Sequence, residues 1–98
     1  MGTSDAWPFA DPPNVAAFTV NSIVRQGRPI LLVVHDEEDG GWQFMDGGPL
    51  DMKDALLVSL ASMVKRDPTL AQLADLPPGW QATRESATGP WKREKVAE

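Results

Sequence analysis

The chain contains no cysteine, and that one absence removes disulfides, thiolate metal centres and cysteine nucleophiles together. A domain that folds without disulfides suits a reducing compartment. Long hydrophobic runs are missing too. The longest, at residues 30–34 and 55–58, fall far short of the roughly 20 apolar residues that a membrane-spanning helix needs. Residues 1–6 carry neither the basic nor the apolar region of a secretory leader, and Ala6 stands where a myristoylation pattern requires Ser or Thr. The expected compartment is therefore the cytoplasm, with no membrane partner. Basic residues are scarce as well: nine Lys and Arg against fourteen Asp and Glu give a net charge of −5. Phosphate binding needs clustered Lys and Arg, so nucleic acid is disfavoured as a partner.

What is present is ordinary globular material. The 98 residues, 42% of them hydrophobic and 23% charged, make one domain with a modest core. The acids are unevenly spread. Asp36, Glu37, Glu38, Asp39, Asp46, Asp51 and Asp54 fall within residues 36–54, where Lys53 is the one base. Such a run is commonly a solvated, solubilising face, and it also attracts a basic partner.

Residues 1–14 read as an irregular arm, because Pro8, Pro12 and Pro13 remove donors and restrict φ. Trp7 and Phe9 are the groups that could pin it to the body. The domain proper is expected over residues 15–95. Residues 15–24 are apolar and rich in β-branched side chains, which predicts a strand; Asn21-Ser22 either break it or start a short helical turn. Gln26-Gly27 make a turn. The continuous apolar run 30–35 predicts a central strand, and residues 42–45 its antiparallel partner across the acidic, glycine-containing bend. Asp51 is a helix N-cap, and Leu56, Leu60, Met63 and Val64 follow helical spacing, so a main helix is predicted over 52–66. Asp67-Pro68 opens a short second helix to about Ala74. Residues 80–85 alternate like a strand with Trp80, Ala82 and Arg84 on one face, and 91–94 form the returning strand. The expected order is β-β-β-α-α-β-β. This is an α+β plan: a small antiparallel sheet with helices on one face.

No motif specifies a reaction. His35 is the one histidine, and Asp36, adjacent on a strand, points to the opposite face; a structural role outweighs a catalytic one. The acidic run fails the calcium-loop pattern, since Gly40 and Gly47 stand at the fifth and twelfth positions counted from Asp36. Paired-carboxylate hydrolysis needs a cleft that so small a body is not expected to hold. Gly40-Gly41 and Gly47-Gly48 lack the lysine of a phosphate-binding loop and read as turns. No catalytic residue, metal or cofactor is assigned. Four tryptophans are many for this length. Trp42 is expected to pack under the helix, while Trp80 and Trp91, flanking the last hairpin, are either core or interface anchors.

Gly-Trp-Gln-Phe at 41–44, then Gly47, Asp67-Pro68, Leu76-Pro77 and Arg84, form a pattern that resembles a bacterial family of small domains. Genome context groups that family with the immunity proteins of polymorphic toxin systems. The resemblance covers about residues 18–93, and it implies binding rather than catalysis. It departs from the family at His35, where a basic residue is more usual, and in the apolar continuity of residues 55–64. The leading expectation is thus a protein-binding domain that meets a basic partner, a toxin in the resemblance. The contacts would be Asp36, Glu37, Glu38 and Asp39 with Asp46 beside them, and Trp80 or Trp91 as anchor. The alternatives are a homodimer formed through the edge at 91–94, or a small metal protein or enzyme using His35 and the acids.

Overall fold

A computed structural model describes residues 7–49 and 51–96. The fold is α+β, with six strands in one sheet and short helices packed against it. In chain order these are β1 (Ala16–Val20), α1 (Asn21–Val24), β2 (Leu32–His35), β3 (Trp42–Met45), a 3-10 turn (Met52–Asp54), β4 (Ala55–Ser59), α2 (Leu60–Arg66), a 3-10 helix (Pro68–Leu73), β5 (Trp80–Thr83) and β6 (Lys92–Lys95). The sheet order is β4-β1-β3-β2-β5-β6. Every neighbouring pair is antiparallel except β1 and β3, which run parallel.

The predicted main helix over 52–66 is corrected by the structure. Its first half is the 3-10 turn and strand β4, and only Leu60–Arg66 is α-helical. Ala-Leu-Leu-Val-Ser has no decisive local preference, because leucine suits a helix as well as a strand. Pairing with β1 along the whole of both strands, Ala16 with Ser59 through Val20 with Ala55, selects the strand. Asp51 does cap, but it caps the 3-10 turn, accepting from the Lys53 amide; the helix proper is capped by Ser59, whose hydroxyl accepts from the Ser62 amide. The segment 15–24 takes both alternatives in turn: a strand to Val20, then one helical turn. The returning strand begins one residue later than expected, at Lys92.

Register defines two unlike faces. On one, Ala17, Thr19, Val33, Phe44 and Ala82 are buried beneath Ile23 of α1, Leu60 and Met63 of α2, and Leu70, Leu73 and Leu76. Thr19, fully buried, satisfies its hydroxyl by donating to the Phe44 carbonyl. The other face carries Phe18, Leu32, Val34, Gln43, Met45 and Leu57, all half-buried or exposed, and no described helix covers them.

Of the proline-rich arm, residues 1–6 lie outside the described part. Trp7 and Phe9 do pin the remainder: Phe9 is 5% exposed and meets the Trp42 ring edge-on, and the Trp7 indole donates to the Asp11 carbonyl. Trp42 consequently packs under this arm, with its indole N–H donating to Asp11 Oδ2.

Arg84 ties the other end of the molecule together. Its guanidinium is buried, donates to the Ile30 carbonyl, Thr69 Oγ1 and Asp67 Oδ2, and stacks 4.1 Å from the centre of the Trp91 ring. Three chain segments far apart in sequence meet on this one side chain. Burial pushes the Asp67 carboxyl up, but hydrogen bonds from Thr69 and Arg84 outweigh it and hold the group below its ordinary range. A carboxyl lowered in the folded state stabilises the fold above the unfolded value, near pH 4, and loses that contribution as pH falls through the folded pKa. Thermal melts between pH 7 and pH 2 should therefore show Asp67→Asn losing less stability on acidification than the parent protein. Parallel curves for the two would contradict this.

Candidate functional site

The bend between β2 and β3 is built by its own acids. The Asp36 amide donates to the Gly41 carbonyl at 2.8 Å, and the Gly40 amide donates to the Asp36 carbonyl at 3.1 Å. Asp36 Oδ1 accepts from the Glu38 amide and Asp39 Oδ1 from the Gly41 amide, at 2.7 and 2.8 Å. Aspartates serve here because a short carboxylate reaches a backbone amide two residues on. Gly40 takes φ of 70°, which glycine adopts without a Cβ penalty. Glu37, Glu38 and Asp39 are left exposed at the tip.

His35 holds this bend to the body. Its ring stacks on Trp42 with centroids 3.9 Å apart and planes 12° apart. Nδ1 lies 2.6 Å from the Leu76 carbonyl oxygen and Nε2 lies 3.1 Å from that of Gly40. The imidazole thus lies between the bend, the segment before β5 and the aromatic core, with each ring nitrogen facing a backbone carbonyl, to one of which a neutral ring donates. Sequence reasoning gave His35 a structural weight without finding these partners, since the Leu76 contact is long-range.

Trp80 belongs to the same end of the sheet. It pairs with His35 across β2 and β5, and the preceding Gly79 amide donates to the His35 carbonyl at 2.7 Å. Gly79 is buried with φ of 86°, and a Cβ there would stand 3.0 Å from Glu37 Oε1. The positive φ is what favours glycine at 79, while the exposed Glu37 carboxylate beside it could shift to make room. Trp80 is half-buried and packs on the core, at the same end of the sheet as the bend. Val34, Glu37, Glu38 and Val96 border a shallow depression at this corner.

Asp46 is not beside the bend. It follows β3 at the strand's far end, five residues or ~17 Å along the sheet from Gly41. There it accepts from the Ser22 hydroxyl at 2.7 Å and from the Gly48 amide at 3.0 Å. The Ser22 hydrogen bond first, and then that of Gly48, lower its pKa, so Asp46 is a carboxylate engaged in holding the β3 exit to α1. Adjacency in sequence suggested a single acidic cluster; the extended strand between the two turns separates them. Trp91 also lies at the far end, half-buried against the core and the Arg84 guanidinium. The structure therefore brings Asp36, Glu37, Glu38, Asp39 and Trp80 together and leaves Asp46 and Trp91 elsewhere.

Among the described residues, no group of three acidic or histidine side chains is placed to hold a metal ion, and no helix is long and apolar enough to cross a membrane. The Arg84–Asp67 pair was not found from sequence, although both residues carry the family-like pattern; nothing local in either one signals the other. Compared with known protein families, with curated proteins and with solved structures, the chain matches none.

Proposed function

We propose that this chain is a protein-binding domain whose contact surface is the β2–β3 end of the sheet, and that its partner presents a basic patch. The observation that carries this reading is the pre-ordered tip. Glu37, Glu38 and Asp39 are exposed on a bend fixed by backbone and aspartate hydrogen bonds and clamped by His35, at the end of the sheet where β5 begins with the half-buried Trp80. A rigid display of charge loses little conformational entropy on association, and the half-buried Trp80 at the same end of the sheet is the aromatic group placed to add contact area. The carboxylates steer encounter and set specificity more than they set affinity. The pattern at 41–44, 67–68, 76–77 and Arg84, being similar to that of immunity proteins, names a toxin as the candidate partner, and cytoplasm as the setting.

The test is capture from a lysate of the source cells on the immobilised chain. Glu37→Gln with Glu38→Gln removes two charges and leaves the bend's hydrogen bonds intact, because neither glutamate side chain makes one among those described. A genuine partner should be held at about 0.1 M salt, where charges act over ~10 Å, and released near 1 M, where they act over ~3 Å. The double variant should retain it at least about tenfold less well. If no captured protein depends on both the salt and the two glutamates, the rim is not the contact surface.

A further inference from the structure

The two edges of the sheet are chemically opposite. β6 is Lys92-Arg93-Glu94-Lys95, fully exposed and charged throughout. Charged side chains on an edge strand oppose pairing with another chain. In addition, Arg93 is occupied, donating to Asp75 Oδ1 and to the Gln72 carbonyl. β4, at the other edge, is Ala55-Leu56-Leu57-Val58-Ser59. It has no charge, no proline and no bulge against β1, and Leu57 at its centre is 75% exposed. Among the described residues it therefore lacks the charge, the proline and the bulge that commonly keep an edge unpaired.

The open backbone groups of β4 can be identified one by one. The Leu60 amide donates to the Val15 carbonyl at 2.8 Å, in register with the β1–β4 ladder. Alternation along an antiparallel pair then directs Leu56 and Val58 toward β1, and Ala55, Leu57 and Ser59 toward the free edge. Two of the outward groups are already used locally. The Ala55 amide donates to the Met52 carbonyl, and the Ser59 carbonyl accepts from the Ser62 hydroxyl at 2.7 Å. Among the described residues, the Ala55 carbonyl, the Leu57 amide, the Leu57 carbonyl and the Ser59 amide are left without a partner.

We infer that β4 pairs with β4 of a second copy of this chain, antiparallel and centred on Leu57, joining two sheets into one of twelve strands. The four open groups are complementary to themselves under a twofold axis. Leu57 amide meets Leu57 carbonyl in both directions, and each Ser59 amide meets the other copy's Ala55 carbonyl. That gives four hydrogen bonds, uses every open group and asks for none of the two already taken. Opposed side chains are apolar or small: Leu57 with Leu57, Leu56 with Val58, Ala55 with Ser59. No like charges stand opposite each other. The twofold arrangement also closes, whereas a β4–β6 contact would propagate into a filament. The exposed Leu57 side chains meet across the axis on the uncovered sheet face, next to Phe18 of each copy.

Sedimentation velocity on the full chain from micromolar to millimolar concentration tests this. The expected result is a reversible monomer–dimer equilibrium. Leu57→Lys and Leu57→Glu each place like charges opposite one another at the axis and should weaken the dimer at least about tenfold. With Leu57 so exposed, each variant should keep the parent's circular dichroism and melting temperature. Mixing the two variants should restore association, because lysine then faces glutamate across the axis. That result requires residue 57 to face itself, so it is specific to this register. A chain that stays monomeric to millimolar concentration overturns the inference. So does a dimer that survives both substitutions, or a mixture that fails to re-form one.

Discussion

Arg84→Ala should cost about 3–5 kcal/mol of stability, the range for breaking a buried ion pair from one side. For a chain of this length that corresponds to a fall in melting temperature of more than about 10 °C. The reason is the number of groups that lose their partner together. Asp67 keeps a carboxylate that is 19% exposed at its side chain with no cation beside it, and the Ile30 carbonyl and Thr69 hydroxyl each lose a donor. Trp91 loses the guanidinium stacked on its face. Arg84→Lys should recover only part of this, because an ammonium on a flexible stem cannot serve three acceptors in one plane and stack as well. Adding Asp67→Leu to Arg84→Met should be less damaging than Arg84→Met alone, since the orphaned charge is then gone. Urea unfolding of the four variants checks the set. A loss below about 1 kcal/mol for Arg84→Ala would show that the junction contributes no more than a surface pair does.

Trp42→Ala should be comparably severe, about 3–5 kcal/mol, from the cavity left by a nearly fully buried indole. The damage should also have a particular location. Trp42 is the floor on which both Phe9 of the arm and His35 of the bend rest, with centroid distances of 5.1 and 3.9 Å, and it holds Asp11 through its N–H. Removing it should free the arm, so limited proteolysis should cut near residues 8–14 in the variant under conditions that leave the parent intact. Trp42→Phe keeps a stacking surface and drops the donor to Asp11, and should fall between the two. If Trp42→Ala is destabilised while the arm stays protected, the arm is held by Phe9 in the core without this floor. The same substitution bears on the proposed contact surface, because loss of the stack removes one of the three contacts that hold the His35 ring, which is itself one of the groups that fix the acidic bend.

These two junctions illustrate where sequence reading succeeds and where it stops. The β2–β3 hairpin was legible because its signals are local: an apolar run, aspartates that reach amides two residues away, and a glycine where φ is positive. The 3-10 helix after Asp67-Pro68 was legible for the same reason, its start being marked by a cap and a proline. Strand β4 was not. Leu56, Leu60, Met63 and Val64 satisfy helical spacing whichever way residues 55–59 fold, and only the matching length of β1 decides between the two.

The candidate site divides along the same line. That Asp36, Glu37, Glu38 and Asp39 form a turn, its last three residues exposed, followed from residue type and order. That Trp80 joins them, while Asp46 and Trp91 stand at the opposite end, depends on strand pairing across 45 residues between His35 and Trp80.

For this protein, composition and local order determined the α+β class, the acidic bend and the turns, because those rest on interactions within a few residues of chain. Only the tertiary structure decided which strands form the edges of the sheet, which face the described helices cover and which side chains share a junction. Those outcomes depend on contacts between segments far apart in sequence, and neither partner alone carries a sign of the other.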